Sequence, residues 1–214
     1  SPEVVAASGT EVGAAPPQPT MPGSEGVAAF MAPIDPRAPG VDIIVPVYKG
    51  LVDTQRCVQS VLANWHHQQT AVRLIVINDA SPDPALTEWL RALAAQEPRV
   101  TLLENAENQG FVATVNRGMA WPPPPGVPAH DVLLLNSDTE VANDWLDRLR
   151  AAAYRGARVG TVTPFSNNAT ICSYPRFCEA NALPDGYTTA MLDALCAQLH
   201  AAAQIDIPTA VGFC

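Results

Sequence analysis

Four short apolar runs, each closed by polar residues and each followed by a stretch of different period, constrain this chain more than anything else in it. They are Val41-Asp42-Ile43-Ile44-Val45-Pro46-Val47, Arg73-Leu74-Ile75-Val76-Ile77, Val100-Thr101-Leu102-Leu103 and Asp131-Val132-Leu133-Leu134-Leu135. Runs this short, rich in β-branched residues and bounded by turn formers, read as buried strands. After the first, Val58, Val61, Leu62 and Trp65 recur at helical spacing, with Asp53 or Thr54 as the expected cap. Leu86, Trp89, Leu90 and Leu93 mark a second helix, residues 111–119 a third, and Trp145, Leu146 and Leu149 a fourth. Strands alternating with helices predict the α/β class, a mostly parallel sheet with helices on both faces. Further on, Gly160–Thr163 is expected as a short strand and Pro164–Asp185 as irregular. A helix is expected over Thr188–Ala203, with Leu192, Leu195 and Leu199 on one face, and a last strand over Pro208–Cys214.

Residues 1–40 do not share this pattern. They hold eight of the 21 prolines and a single basic residue, Arg37. No apolar period survives there, so the expectation is a disordered Pro/Ala-rich tail or linker before a folded domain over 41–214. The chain carries −9 overall, of which −6 falls on the domain. That balance excludes a general nucleic-acid binder, which would show a basic patch. No apolar run approaches the roughly 18 residues of a spanning helix. No basic start followed by an apolar core marks a secretory leader. The cysteines (Cys57, Cys172, Cys178, Cys196, Cys214) are odd in number, scattered and without C-x-x-C spacing. A reducing, cytoplasmic setting fits them. The start at Ser1 rather than Met reads as a processed or excised chain.

In open parallel sheets, ligands bind outside the carboxyl ends of the strands. That rule selects Pro46-Val47-Tyr48, Asn78-Asp79 and Asn136-Ser137-Asp138. Asp79 could accept hydrogen bonds from a base or ribose, or could serve as a turn or helix cap. Asp138 suits a divalent cation, which takes hard oxygen ligands, or a cap for the helix that follows. Gly110, in Asn108-Gln109-Gly110-Phe111, permits a tight turn, and Arg117 is either a phosphate partner or an exposed helix residue. No G-x-G-x-x-G follows the first strand, and no P-loop or G-x-S-x-G elbow exists. Zinc is not expected at Cys172 and Cys178, which lack nearby histidines. His66 and His67 are expected at the exposed end of a helix.

Taken in order, Val41–Tyr48, Ile77-Asn78-Asp79-Ala80-Ser81-Pro82-Asp83, Asn108–Phe111 and Leu135–Asp138 resemble glycosyltransferase family 2. The resemblance runs from about residue 41 to 214. Pro164-Phe165-Ser166-Asn167-Asn168-Ala169-Thr170 is similar to its bacterial rhamnosyltransferase-like members. It implies a GT-A fold, a UDP- or dTDP-sugar donor, a divalent metal (Mn²⁺ or Mg²⁺), inversion at the anomeric carbon and a glycan acceptor. It implies that Pro46, Val47 and Tyr48 line the nucleotide pocket with Asn136 and Ser137, that Asp79 binds the base, and that Asp138 ligates the metal. Asn136 stands where the family's D-x-D signature has its first aspartate. The family's general base lies in an acidic motif after the strand matching Ala210–Cys214, so it is expected beyond Cys214. Asp185, Asp193 and Asp206 are not singled out for that role.

The expected activity is therefore an inverting, metal-dependent sugar transfer in bacterial polysaccharide or cell-surface glycan synthesis. The setting is cytoplasmic, with peripheral attachment at the inner face of the membrane as an alternative. Two rivals stand beside it. One is a non-catalytic nucleotide-sugar-binding module. The other is a sugar-phosphate nucleotidyltransferase, whose first loop would carry more glycine than Pro46-Val47-Tyr48-Lys49-Gly50.

Overall fold

The computed structural model describes residues 39–199 and 204–214. The expected tail over 1–40 lies outside the described residues except for its last two positions. The elements are β1 (Val41–Val47), α1 (Leu51–Ala63), β2 (Val72–Asn78), α2 (Pro84–Gln96), β3 (Val100–Glu104), α3 (Gly110–Met119), β4 (Asp131–Leu134), α4 (Trp145–Ala153) and α5 (Thr189–Leu199). The strands form one sheet in the order β3-β2-β1-β4, and every pairing is parallel. Chain direction across the sheet reverses between β3 and β4, which puts a topological switch point between the carboxyl ends of β1 and β4.

Side-chain alternation divides the core in two. Val41, Ile43, Val45 and Val47 point to the larger layer, with Val58 and Val61 of α1, Leu86 and Leu90 of α2, and Trp145 and Leu146 of α4. Ile44, Ile75, Ile77 and Leu103 point the other way, against Val115 of α3. Each of these aliphatic side chains contributes about 1.5–3 kcal/mol by leaving water. Helices therefore cover both faces, as the alternating pattern requires. Gly118 lets α3 lie close to the sheet, since a Cβ there would meet Ile44 Cγ2 at 2.7 Å.

Several local expectations are corrected. Helix α1 begins at Leu51, ahead of Asp53 and Thr54, because Gly50 at φ +90° turns the chain directly into the helix. Trp65 falls in a separate 3-10 turn, Trp65–His67, although it still packs on the larger core layer. Gly160–Thr163 is not a strand. Its backbone lies on no ladder, and Thr163 meets Val211 through its hydroxyl, which accepts the Val211 amide at 3.3 Å. Pro208–Cys214 is not a strand either. Pro208 lacks an amide hydrogen and Gly212 lacks a side chain to pack, so the segment turns repeatedly. The Phe213 carbonyl accepts the Asn136 amide at 3.0 Å, just past β4, and Cys214 packs against the larger core layer. In α5 no residue is buried among those described. Leu195 and Leu199 are exposed, and residues 200–203 of the expected helix lie outside the described residues.

Candidate nucleotide site at the carboxyl edge

Register brings the strand ends together. Val47 pairs with Asn78, and the Asp79 amide donates to the Val47 carbonyl at 2.8 Å. Tyr48 and Asp79 thus leave the sheet side by side. Ile44 pairs with Leu134, and the Leu135 amide donates to the Ile44 carbonyl at 2.9 Å. Pro46 and Asn136 therefore lie at one level. Alternation places Pro46, Asp79 and Asn136 on the α3 face. Val47 lies on the opposite face and is 1% exposed. Its side chain belongs to the core, and its carbonyl accepts the Asp79 amide.

Asp79 is 4% exposed. Its Oδ1 accepts the Gln109 amide at 2.8 Å and Asn105 Nδ2 at 2.6 Å; its Oδ2 accepts the Gly110 amide at 2.9 Å. Gln109 and Gly110 begin α3, so the carboxylate caps a helix 30 residues away in sequence. Burial pushes its pKa up, but the hydrogen bonds from Gln109, Asn105, Thr114 and Gly110 outweigh burial and hold it below the usual carboxylate range. Helix α2, which follows directly, is capped instead by Asp83, whose carboxylate accepts the Ala85 amide at 3.0 Å. Ala80 sits at φ +51°, a left-handed conformation that costs a non-glycine residue about 1 kcal/mol or more. Asn78 holds the turn by accepting the Ser81 amide at 2.9 Å. A carboxylate offers about four acceptor positions, and the Gln109, Gly110, Asn105 and Thr114 donors occupy those of Asp79.

Tyr48 is 41% exposed, with Lys49 Nζ 5.2 Å from its ring centroid. Ser137 is half-buried and Asp138 exposed. The turn from Asn136 closes through the Thr139 amide, 3.1 Å from the Asn136 carbonyl. No described residue donates a hydrogen bond to the Asp138 carboxylate. It does not cap α4, whose N-cap is Asp144. Among the described residues no cluster of three or more His, Cys, Asp or Glu could enclose a metal. A hard cation that bridges a diphosphate needs only one or two protein carboxylates, with phosphate and water completing its shell. The exposed Asp138 carboxylate, with Asn136 and Ser137 next to it in the chain, fits that requirement. Asn136 and Asp138 also line an open cleft against Phe165 and Phe213, which Pro46, Tyr48 and Asp79 do not border.

The sequence reading missed the residues that hold this turn. The end of α1 grips the chain just after Asp138. Val141 donates its amide to Ser60 Oγ at 3.1 Å, and its carbonyl accepts Asn64 Nδ2 at 3.3 Å. Asn64 Oδ1 accepts the Asn143 amide at 2.8 Å. Gln68 Nε2 donates to the Asn143 carbonyl at 2.6 Å. Asp147, 1% exposed, accepts the Gln69 amide at 2.7 Å and the Thr70 amide at 3.0 Å. The sequence signal for this brace is Asn64 and Gln68 near the end of α1, and polar residues are common at any helix carboxyl end. Arg117 is committed to the end of β3, donating to the Glu104 carbonyl at 2.7 Å and to Asn105 Oδ1. Asp193 is committed too, accepting from Arg148 Nη2 and, at 2.7 Å, from Asn143 Nδ2.

Residues 42–177 match the family described as glycosyl transferase family 2, and the chain belongs to that family. Among solved structures it is similar to a mannosyltransferase from Pyrobaculum calidifontis, determined in complex with GDP-Man and Mn²⁺. The identity is 19% and the TM-score 0.44, over 62% of this chain and 37% of that one. No curated protein matches the sequence. Among the described residues, no helix is long and apolar enough to cross a membrane.

Proposed function

We propose that residues 41–214 form the donor-binding part of an inverting glycosyltransferase. On this reading the enzyme moves a sugar from a UDP- or dTDP-sugar to a hydroxyl of a growing bacterial glycan. The observation that carries it is the convergence of Pro46, Tyr48, Asp79 and Asn136 at one carboxyl edge, beside the exposed Asp138. Tyr48 and Asp79, at neighbouring strand ends, receive the base. Asp138, with Asn136 and Ser137 beside it, would hold a divalent cation. Such a cation supplies charge neutralisation to the leaving diphosphate, and fixed donors aimed at developing charge are commonly the largest catalytic term. The Asn136 and Ser137 side chains orient the diphosphate beside it. The base that deprotonates the acceptor is a carboxylate other than Asp193, which Arg148 and Asn143 already occupy.

Calorimetry with UDP, dTDP and GDP, with and without Mn²⁺, tests this reading. The expected result is micromolar to millimolar binding of a pyrimidine nucleotide that tightens with Mn²⁺, the tightening being lost in Asp138→Ala. Absence of nucleotide binding under all conditions overturns it.

A further inference from the structure

On α3 the buried residues are Thr114, Val115 and Gly118. Their three-and-four spacing defines the stripe that faces the sheet. Extended one turn toward the amino end, the same stripe passes through Phe111. Yet Phe111 is 48% exposed, which a residue at the centre of a core stripe would not be if the sheet continued beneath it. The reason is position. The first turn of α3 is clamped to Asp79 through the Gln109 and Gly110 amides, so it lies beyond the last strand residues. Helical side chains also lean toward the helix amino end, which carries the Phe111 ring further past the sheet. Phe111 therefore overhangs the strand ends on the face that Asp79 occupies, where Tyr48 leaves the neighbouring strand, itself 41% exposed. Val112 is exposed as well, but it lies off the stripe and has no such relation to the edge.

We infer that Phe111 is a base-stacking residue of the nucleotide site, forming with Tyr48 an aromatic recess for the donor's nucleobase. The inference rests on the proposed nucleotide-binding function and adds a residue to its site. An aromatic ring provides a planar, dehydrating surface that every nucleobase can use. The Asp79 carboxylate, mostly spent on holding α3, then acts on the base chiefly by fixing the Phe111 ring. Affinity for the base therefore depends on Phe111, and affinity for the diphosphate does not.

The test is calorimetry on the full chain with Mn²⁺ present, using UDP, dTDP, UMP and inorganic pyrophosphate as probes. Phe111→Ala is expected to weaken UDP or dTDP, and UMP, about tenfold or more, while pyrophosphate binding is unchanged. Phe111→Trp should restore nucleotide affinity, and Val112→Ala should bind like the parent. An unchanged melting temperature separates lost stacking from lost fold. If the parent binds nucleotide and Phe111→Ala binds it equally well, the assignment of Phe111 fails while the nucleotide site stands. An equal loss for pyrophosphate would also overturn it, showing a general disturbance of the edge. If the parent binds none of the nucleotides, both the site and the inference fall.

Discussion

The Asp79 carboxylate accepts the Gly110 amide at 2.9 Å, joining the end of β2 to the start of α3 across 31 residues of chain. A buried anion satisfied by two backbone amides and an asparagine cannot be replaced by a neutral group without leaving donors unpaired. Asparagine offers one acceptor oxygen where the carboxylate offers two. Asp79→Asn should therefore cost about 1–3 kcal/mol, read as a lower urea midpoint with unchanged slope.

The same carboxylate predicts a pH dependence. Asp79 is held below its ordinary pKa. So is Asp42, where burial pushes upward and the bonds from Arg73 and His130 more than offset it. A folded pKa below the unfolded one gives stability that is present above the unfolded value, near 4. It is lost as pH falls through the folded values. Thermal melts should show a flat plateau above about pH 5 and a steep decline below about pH 4. In Asp79→Asn the decline should be shallower. An identical acid limb in parent and variant would show that Asp79 contributes nothing to it.

Gly118→Ala should destabilise the domain even though alanine favours helix. Its Cβ would stand 2.7 Å from Ile44 Cγ2 and 2.9 Å from Ile77 Cδ1, and both isoleucines are fully buried. Forcing α3 away from the sheet should cost about 1–3 kcal/mol. Gain of stability in chemical denaturation would contradict this packing.

Asn64→Ala removes the bonds to Val141 and Asn143 without touching the strand ends. Loss of stability of about 1–3 kcal/mol is expected. Because the brace positions the turn carrying Asp138, Mn²⁺-dependent nucleotide affinity should also fall at temperatures where the variant remains folded. Unchanged metal dependence would confine Asn64 to stability.

Thiol labelling should sort the cysteines by depth. Burial pushes Cys57 and Cys214 up to about 12, whereas Cys178 is exposed. The thiolate is the reactive form. Iodoacetamide at pH 8 should modify Cys178 first and reach Cys57 only on unfolding, as mass spectrometry of timed digests would show. Labelling of Cys57 as fast as Cys178 would contradict its place in the core.

The four strands, the first four helices and the sheet edge at which the strand ends meet were legible in the sequence. Strand periodicity and strand-end polarity are local properties, and a buried parallel strand has little freedom to look like anything else. Locality also set the errors. Gly160–Thr163 and Pro208–Cys214 carry strand-forming residues, but a strand exists only when a partner edge takes up its hydrogen bonds. The sequence does not say which edge is free. Asp79 shows the same division. Its position at a strand end follows from composition and pattern alone. That its carboxylate caps α3 rather than the adjacent α2 follows only from the parallel crossover that lays Gln109 and Gly110 over the end of β2. The stripe through Phe111, Thr114, Val115 and Gly118 can likewise be counted in the sequence. That Phe111 overhangs the sheet instead of packing on it was decided by where the strands stop, a length relation between two elements that only the assembled fold contains.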